Sequence, residues 1–284
     1  MNTSIDRYCV LGQPVEHSKS PWIHARFAEL TGQRMEYGRQ PVPLDGFRAA
    51  VQALQREGAR GCNVTVPFKF EAFALADSQS AAAQLAQAGN TMRFAADGTI
   101  QLDNTDGVGL VADLQLNAGA VLAGRDLLLL GAGGAAAGVL GPLLQARPRC
   151  IVLVNRTRAR AEALAQSHAA LAAQHAVELR VEDAPTLQQA FDFVINATAS
   201  SLAGALPPIS PSVFQDRPGA LAYDMMYGPA AQPFLQWARA HGAAARDGLG
   251  MLVEQAAESF AIWRGVRPPS QRVLADLRTS LAAA

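Results

Sequence analysis

Lysine is rare in this chain: of its 24 basic residues only Lys19 and Lys69 are lysines, and all the others are arginines. Where arginine is written for almost every cation, a lysine points to a place where a guanidinium does not serve. An ammonium is compact and can give up its proton when desolvated. Lys69 closes the run Asn63-Val-Thr-Val-Pro-Phe-Lys69. Alternation along a strand sends Asn63 and Thr65 to one face, and Pro67 ends that strand just before the lysine. A solvated surface lysine is the ordinary alternative. Two further runs carry more polar groups than packing requires. Residues 12–21 deliver Ser18 and Ser20 to a helix start, where hydroxyls and free N–H groups suit a carboxylate; simple capping by Ser20 is compatible with that role. Asp103-Asn-Thr-Asp-Gly107 ends a strand in a cluster of hydrogen-bonding groups, a pattern that ordinary Asx turns share.

A different chemistry is written at 131–136, Gly-Ala-Gly-Gly-Ala-Ala. The run follows an apolar strand and opens a helix, so its N–H groups converge on one point suited to a pyrophosphate. Gly131 allows the tight turn, Gly133 lets the backbone approach the phosphates, and Ala136 keeps helix and strand close. The next strand ends in Asn155-Arg156-Thr157, followed by Arg158 and Arg160. Dinucleotide folds selective for NAD place a carboxylate there for the ribose 2′-hydroxyl. Arginine instead pairs with a 2′-phosphate, so NADP is the expected cofactor.

Elements to position these groups follow from pattern and punctuation. Strands are expected at 8–11, 35–42, 62–66, 91–94, 100–102, 126–130, 150–154, 177–181, 191–196 and 221–225. Helices are expected at 21–30 with Ser20 as N-cap, 44–56, through 70–88, 108–116, up to about 145, 158–168 and 251–263. Asp97-Gly98 marks a hairpin turn. The strand–helix alternation argues for an α/β fold with a parallel sheet, and the last helix is expected to pack back on the first domain. Half the residues are hydrophobic and the formal net charge is zero, with no basic stripe. That counts against nucleic acid or an anionic membrane as the main partner and favours a small polar metabolite. Three scattered cysteines read as buried thiols, no metal is expected, and the absence of a leader or long apolar run suggests the cytoplasm.

The polar runs taken together resemble the shikimate dehydrogenase family. The matching motifs are HSKSP at 17–21, NVTVPFK at 63–69, DNTDG at 103–107, GAGGA at 131–135, NRT at 155–157, NAT at 196–198, YDMMY at 223–227 and DGLGMLVEQA at 247–256, in the family's order and over nearly the whole chain. The resemblance implies two domains with the active site in the cleft between them: an N-terminal α/β substrate domain (1–106 and 247–284) and a Rossmann-type NADP-binding domain (107–246). It implies oxidation of the shikimate C3 hydroxyl to 3-dehydroshikimate by NADP. Lys69 and Asp106 would form the catalytic pair, with the proton acceptor between them left open. Ser18, Ser20 and Tyr227 would hold the substrate carboxylate, and Thr65, Asn90, Asp106 and Gln255 the ring hydroxyls. Gly131, Gly133, Gly134 and Ala135 form the phosphate turn, and Asn155, Arg156, Thr157 and Arg160 would take the 2′-phosphate. Met225 and Gly248 would lie along the nicotinamide. The chain departs from the family in having Gly89 and Leu102 where Val and Gly are common, and Ala-Ser-Ser after Asn196-Ala-Thr; no proposed polar ligand is lost. A quinate/shikimate dehydrogenase and a non-catalytic NADP-sensing module are the alternatives, and monomer and homodimer both remain open.

Overall fold

In the computed structural model, which describes residues 5–282, the chain divides into two units: residues up to Gly109 together with those from Leu252 onward, and Leu110–Met251. The first unit holds β1 (Asp6–Gly12), α1 (Ser20–Thr31), β2 (Met35–Pro41), α2 (Phe47–Arg56), β3 (Gly61–Val64), α3 (Lys69–Leu75), β4 (Ser78–Gln79), α4 (Ala81–Ala86), β5 (Thr91–Phe94) and β6 (Ile100–Asp103). Then α5 (Asp106–Ala112) runs into a π turn, Asp113–Asn117. The second unit holds β7 (Asp126–Leu130), α6 (Gly134–Gln145), β8 (Cys150–Val154), α7 (Arg158–Gln174), β9 (Glu178–Val181), β10 (Phe193–Asn196), β11 (Leu221–Asp224), α8 (Gln232–Ala240) and β12 (Ala244–Arg246). Finally α9 (Leu249–Arg264) and α10 (Ser270–Ala282) follow. Both changes of unit fall inside helices, α5 and α9.

The second unit's sheet is parallel throughout, in the order β12-β11-β10-β7-β8-β9. Its central strand shows why. Leu127 and Leu129 of β7 pack into one core with Val139, Leu140 and Leu143 of α6, while Leu128 and Leu130 pack into another with Phe234 and Leu235 of α8. A strand covered on both faces gains from being apolar at every position. The chain builds outward from β7 in one direction and returns through β10 in the other. Ligands of such sheets sit beyond the carboxyl ends of the strands at that reversal.

The first unit's sheet, β2-β1-β3-β5-β6-β4, is mixed. β1 is parallel to β2 and β3, but β5 runs antiparallel to both β3 and β6. The expected Asp97-Gly98 hairpin joins β5 to β6 as an antiparallel pair. The Asp97-Gly98 turn, with Gly98 at φ +87°, is too short for the crossover that parallel pairing needs. One face of this sheet is apolar, with Leu11, Cys62 and Met92 buried in one core with Phe47 and Val51 of α2. On the other, α9 brings Trp263 to stack on Tyr8 at 4.5 Å and to donate from Nε1 to the Met92 carbonyl at 3.0 Å. The last long helix thus packs on the first unit, as its amphipathic pattern implies.

Several local expectations change. Ser20 is the first residue of α1, and Lys19 stands at the N-cap without a side-chain cap bond; the Ser18 hydroxyl accepts from the Ser20 N–H at 3.2 Å instead. Residues 44–46 form a turn closed by the Gly46 N–H on the Pro43 carbonyl, so α2 begins at Phe47. The strand into Pro67 ends at Val64. Helix α7 continues to Gln174 because the run Ala-Ala-Leu-Ala-Ala-Gln favours helix and buries His168 and Ala172. β12 and α10 stand where the sequence pattern marks no element.

Candidate active site

Asp106 opens α5, and Lys69 is the first residue of α3. Their side chains meet in an ion pair, Lys69 Nζ on Asp106 Oδ2, with only 14% and 6% of the two side chains exposed. The other carboxylate oxygen, Oδ1, accepts from Asn90 Nδ2 at 2.9 Å. Asn90 Nδ2 also lies 3.0 Å from Thr105 Oγ1 and 3.2 Å from Gln255 Oε1. Two amide hydrogens thus have three acceptors, and a ligand can take one without leaving Asn90 unpaired. The backbone holds this cluster in place. Asn90 N–H donates to the Asp103 carbonyl at 3.0 Å, its carbonyl accepts from Val64 at 2.8 Å, and Gly89 N–H donates to the Lys69 carbonyl at 3.1 Å. Lys69, Asp106, Asn90 and Gln255, far apart in sequence, form one connected group.

A second layer holds the first. Asn63 is buried, and its Nδ2 has three acceptors within 3.0–3.1 Å for its two hydrogens: the Asn90 carbonyl, Thr91 Oγ1 and Ser259 Oγ. Tyr37 donates to Asn63 Oδ1 at 2.7 Å, and burial pushes its phenol well above the ordinary value. Ser259 reaches back to the Gln255 carbonyl at 3.0 Å. Sequence reasoning singles out Asn63 only for its position on the strand and misses Tyr37, Thr91 and Ser259. No local pattern marks contacts that span up to 196 residues.

Two glycines let these groups approach. A Cβ on Gly109 would lie 2.7 Å from the backbone N and the Cβ of Gln255, so α5 and α9 touch there through a bare backbone. A Cβ on Gly89 would overlap the Leu102 side chain. The two departures from the family pattern therefore compensate each other: the larger side chain at 102 fills the room that a smaller residue leaves at 89.

Ser18 and Ser20 form a separate pair, the Ser18 hydroxyl donating to Ser20 Oγ at 3.1 Å. Arg39, which nothing in the sequence marks, clamps the Ser18 carbonyl through Nε at 3.0 Å and Nη2 at 2.6 Å. Its charge adds to the attraction for a carboxylate. Thr65 lies just past β3, its N–H on the Leu11 carbonyl at 2.9 Å. Its methyl packs where a Cβ on Gly12 would sit, which turns the hydroxyl elsewhere, and that hydroxyl has no partner among the described residues.

In the second unit the glycine-rich turn stands at the strand reversal. Gly131 adopts φ +110°, and a Cβ there would lie 3.1 Å from the Ala197 carbonyl at the end of β10. Only glycine fits that position comfortably. Gly133 is the N-cap of α6 and no side chain caps the helix; a Cβ at Gly133 would meet nothing within 4 Å. Gly134 and Ala135 thus begin a helix that no side chain caps, which fits a pyrophosphate. At the end of β8, Arg158 is engaged by Glu162 and Asp183, both at 2.8 Å. Arg156 and Arg160 are exposed with no side-chain partner among the described residues, and Asn155 Nδ2 fixes the Thr157 carbonyl at 2.9 Å. Two uncommitted guanidinium groups, with no Asp or Glu among residues 155–160 that follow the strand, fit a 2′-phosphate. Met225 and Gly248 adjoin each other: Gly248 N–H donates to the Met226 carbonyl at 2.9 Å, and a Cβ on Gly248 would overlap the Met225 carbonyl. Tyr227 is half-buried just before a short 3-10 turn, Gly228–Ala231.

Comparison with known proteins gives three family matches. Residues 10–92 match the shikimate dehydrogenase substrate binding domain, 113–204 the shikimate / quinate 5-dehydrogenase family, and 248–278 the shikimate 5′-dehydrogenase C-terminal domain. A shikimate dehydrogenase (NADP(+)) of Acidovorax sp. (strain JS42) is 63% identical over 283 residues, covering 100% of this chain and 99% of the relative. Among solved structures, an Ael1 enzyme from Pseudomonas putida is 47% identical with a TM-score of 0.86, over 96% of this chain and 98% of that one. The shikimate 5-dehydrogenase of Thermus thermophilus in complex with NADP(H) and shikimate is 31% identical with a TM-score of 0.83, over 97% and 99%.

Proposed function

The chain belongs to the shikimate dehydrogenase family, and on that premise we propose that it oxidises the C3 hydroxyl of shikimate to the ketone of 3-dehydroshikimate with NADP+, and catalyses the reverse reduction in aromatic amino-acid biosynthesis. The observation that supports this reading best is the buried Lys69–Asp106 pair joined to Asn90 and Gln255. Oxidising a carbinol removes a hydride from carbon and a proton from oxygen. NADP+ supplies the hydride acceptor. The Lys69–Asp106 pair takes the hydroxyl proton and returns it in the reverse direction. Asp106 holds Nζ through Oδ2 and, with Asn90, Gln255 and the uncommitted Thr65 hydroxyl, orients the ring hydroxyls. Ser18 and Ser20 take the carboxylate, which fixes the ring's orientation so that C3 is the carbon presented. In the second unit, Gly131, Gly133, Gly134 and Ala135 seat the pyrophosphate, and Asn155, Arg156, Thr157 and Arg160 the 2′-phosphate. Met225 and Gly248 line the nicotinamide.

No described helix is long and apolar enough to cross a membrane, and from the proposed metabolic role we infer a cytoplasmic enzyme. The family match over 113–204 names quinate beside shikimate, so substrate choice needs a direct test. Initial rates with shikimate and quinate, each with NADP+ and NAD+, should give the highest kcat/KM for shikimate with NADP+. Comparable rates on quinate would move the reading to a quinate/shikimate dehydrogenase. No turnover of either would leave an NADP-binding module.

A further inference from the structure

Asp113 is fully buried in the second unit, yet its carboxylate gathers polar groups from three directions. Arg246 forks onto it, Nε to Oδ2 at 2.9 Å and Nη2 to Oδ1 at 2.6 Å. The Tyr223 hydroxyl donates to Oδ2 at 2.7 Å, and Asn117 Nδ2 donates to Oδ1 at 3.0 Å. The start of α9 passes so close that a Cβ on Gly250 would overlap the carboxylate. Burying a charge is expensive even when it is well paired, and apolar packing could join strands at lower cost. What the carboxylate adds is a fixed geometry.

The segments it fixes carry Met225 and Gly248. Tyr223 stands two residues before Met225 at the end of β11, and Arg246 two before Gly248 at the end of β12; the two are register partners across that strand pair. Gly250 follows Gly248 by two residues. The Asp113 side chain itself comes from the first residue of the π turn that widens the end of α5, and such turns commonly mark functional places.

We propose that Asp113 is a positioning residue for hydride transfer: buried beyond reach of either ligand, it sets Met225 and Gly248 against the nicotinamide by pinning the ends of β11 and β12 and the start of α9. This rests on the reading of Met225 and Gly248 given above. The test compares Asp113→Asn, which keeps the shape and removes the charge, with Tyr223→Phe, which removes one donor and keeps the ring. Tyr223→Phe carries the test should Asp113→Asn fail to fold. For each, the measurements are thermal midpoint, kcat, and the dissociation constants of NADPH and of 2′,5′-ADP, a probe of the adenosine half alone.

The expected result for Asp113→Asn is about tenfold weaker NADPH binding, from the loss of a charge-assisted fork, with kcat lowered and 2′,5′-ADP affinity unchanged. Tyr223→Phe shifts the same quantities less. Equal losses for both ligands would show a merely structural role and overturn the proposal, as would unchanged NADPH affinity and kcat. Gly248→Ala separates the two layers of the argument. If it leaves NADPH binding and kcat untouched, the nicotinamide assignment falls and takes the proposal with it. If it impairs both while the Asp113 and Tyr223 variants do not, the role of Asp113 alone is refuted.

Discussion

Replacing Lys69 by methionine removes the cation and nearly keeps the length of the side chain. Asp106 then retains its charge with 6% of its side chain exposed, and the Asn90 amide on Oδ1 is the side-chain donor left to it. Breaking one side of a fully buried pair costs about 3–5 kcal/mol. The 14% exposure of Lys69 admits some water, which brings the cost here to about 2–3 kcal/mol. At about 2–4 °C per kcal/mol the melting midpoint should fall by roughly 4–12 °C. Adding Asp106→Asn removes the orphaned charge, so the double variant should recover most of that loss. Activity should behave differently. The single variant loses about 10²–10⁴ in kcat with a smaller change in the KM for shikimate, and the double variant regains none of it. Thermal melts and steady-state kinetics on the same preparations read both quantities. A Lys69→Met enzyme with near-normal kcat, or a double variant no more stable than the single, would refute the reasoning.

Arg156→Ala should raise the KM for NADP by about tenfold or more, the worth of one charge-assisted fork, and leave that for NAD nearly unchanged; equal effects on the two cofactors would remove the 2′-phosphate assignment. His24 supplies a pH dependence. Its ring is fully buried against Tyr37, both nitrogens lack a hydrogen-bond partner among the described residues, and burial holds its pKa down to about 3, the neighbouring Asn63 opposing. A histidine with a depressed folded pKa gives stability that is full above 6.5 and lost as pH falls toward about 3. His24→Phe keeps the stack and should flatten the acid side of a stability–pH curve over that window; parallel curves for the two proteins would contradict the assignment.

The parts of this molecule legible in sequence are those with a local cause. β7 is five apolar residues because both its faces are covered, the Asp97-Gly98 hairpin turns on a glycine at positive φ, and Gly131 needs a conformation that other residues rarely adopt. Lys69 and Asp106 stand out in their own polar runs, and Asn90 and Gln255 only through the resemblance to the family; the hydrogen bonds that join the four are a product of tertiary structure. What sequence could not show lacks a local cause. Asp113 and Arg246 are 133 residues apart, and neither stands out in its own segment. β12 is three residues, two of them alanine, and forms because β11 offers it an edge. Ser20 carries every mark of an N-cap, yet the chain turns one residue earlier and its hydroxyl faces Ser18 instead. The exchange of size between Gly89 and Leu102 reads as two unrelated departures until the side chain at 102 is seen to fill the space at 89.

The central claim is that hydride leaves C3 of shikimate for NADP+, and isotope tracing tests it most directly. With shikimate deuterated at C3 and NADP+ as the oxidant, the reduced nicotinamide should carry the deuterium at C4, with none appearing in solvent. Unlabelled NADPH, or label released to water, would contradict the account.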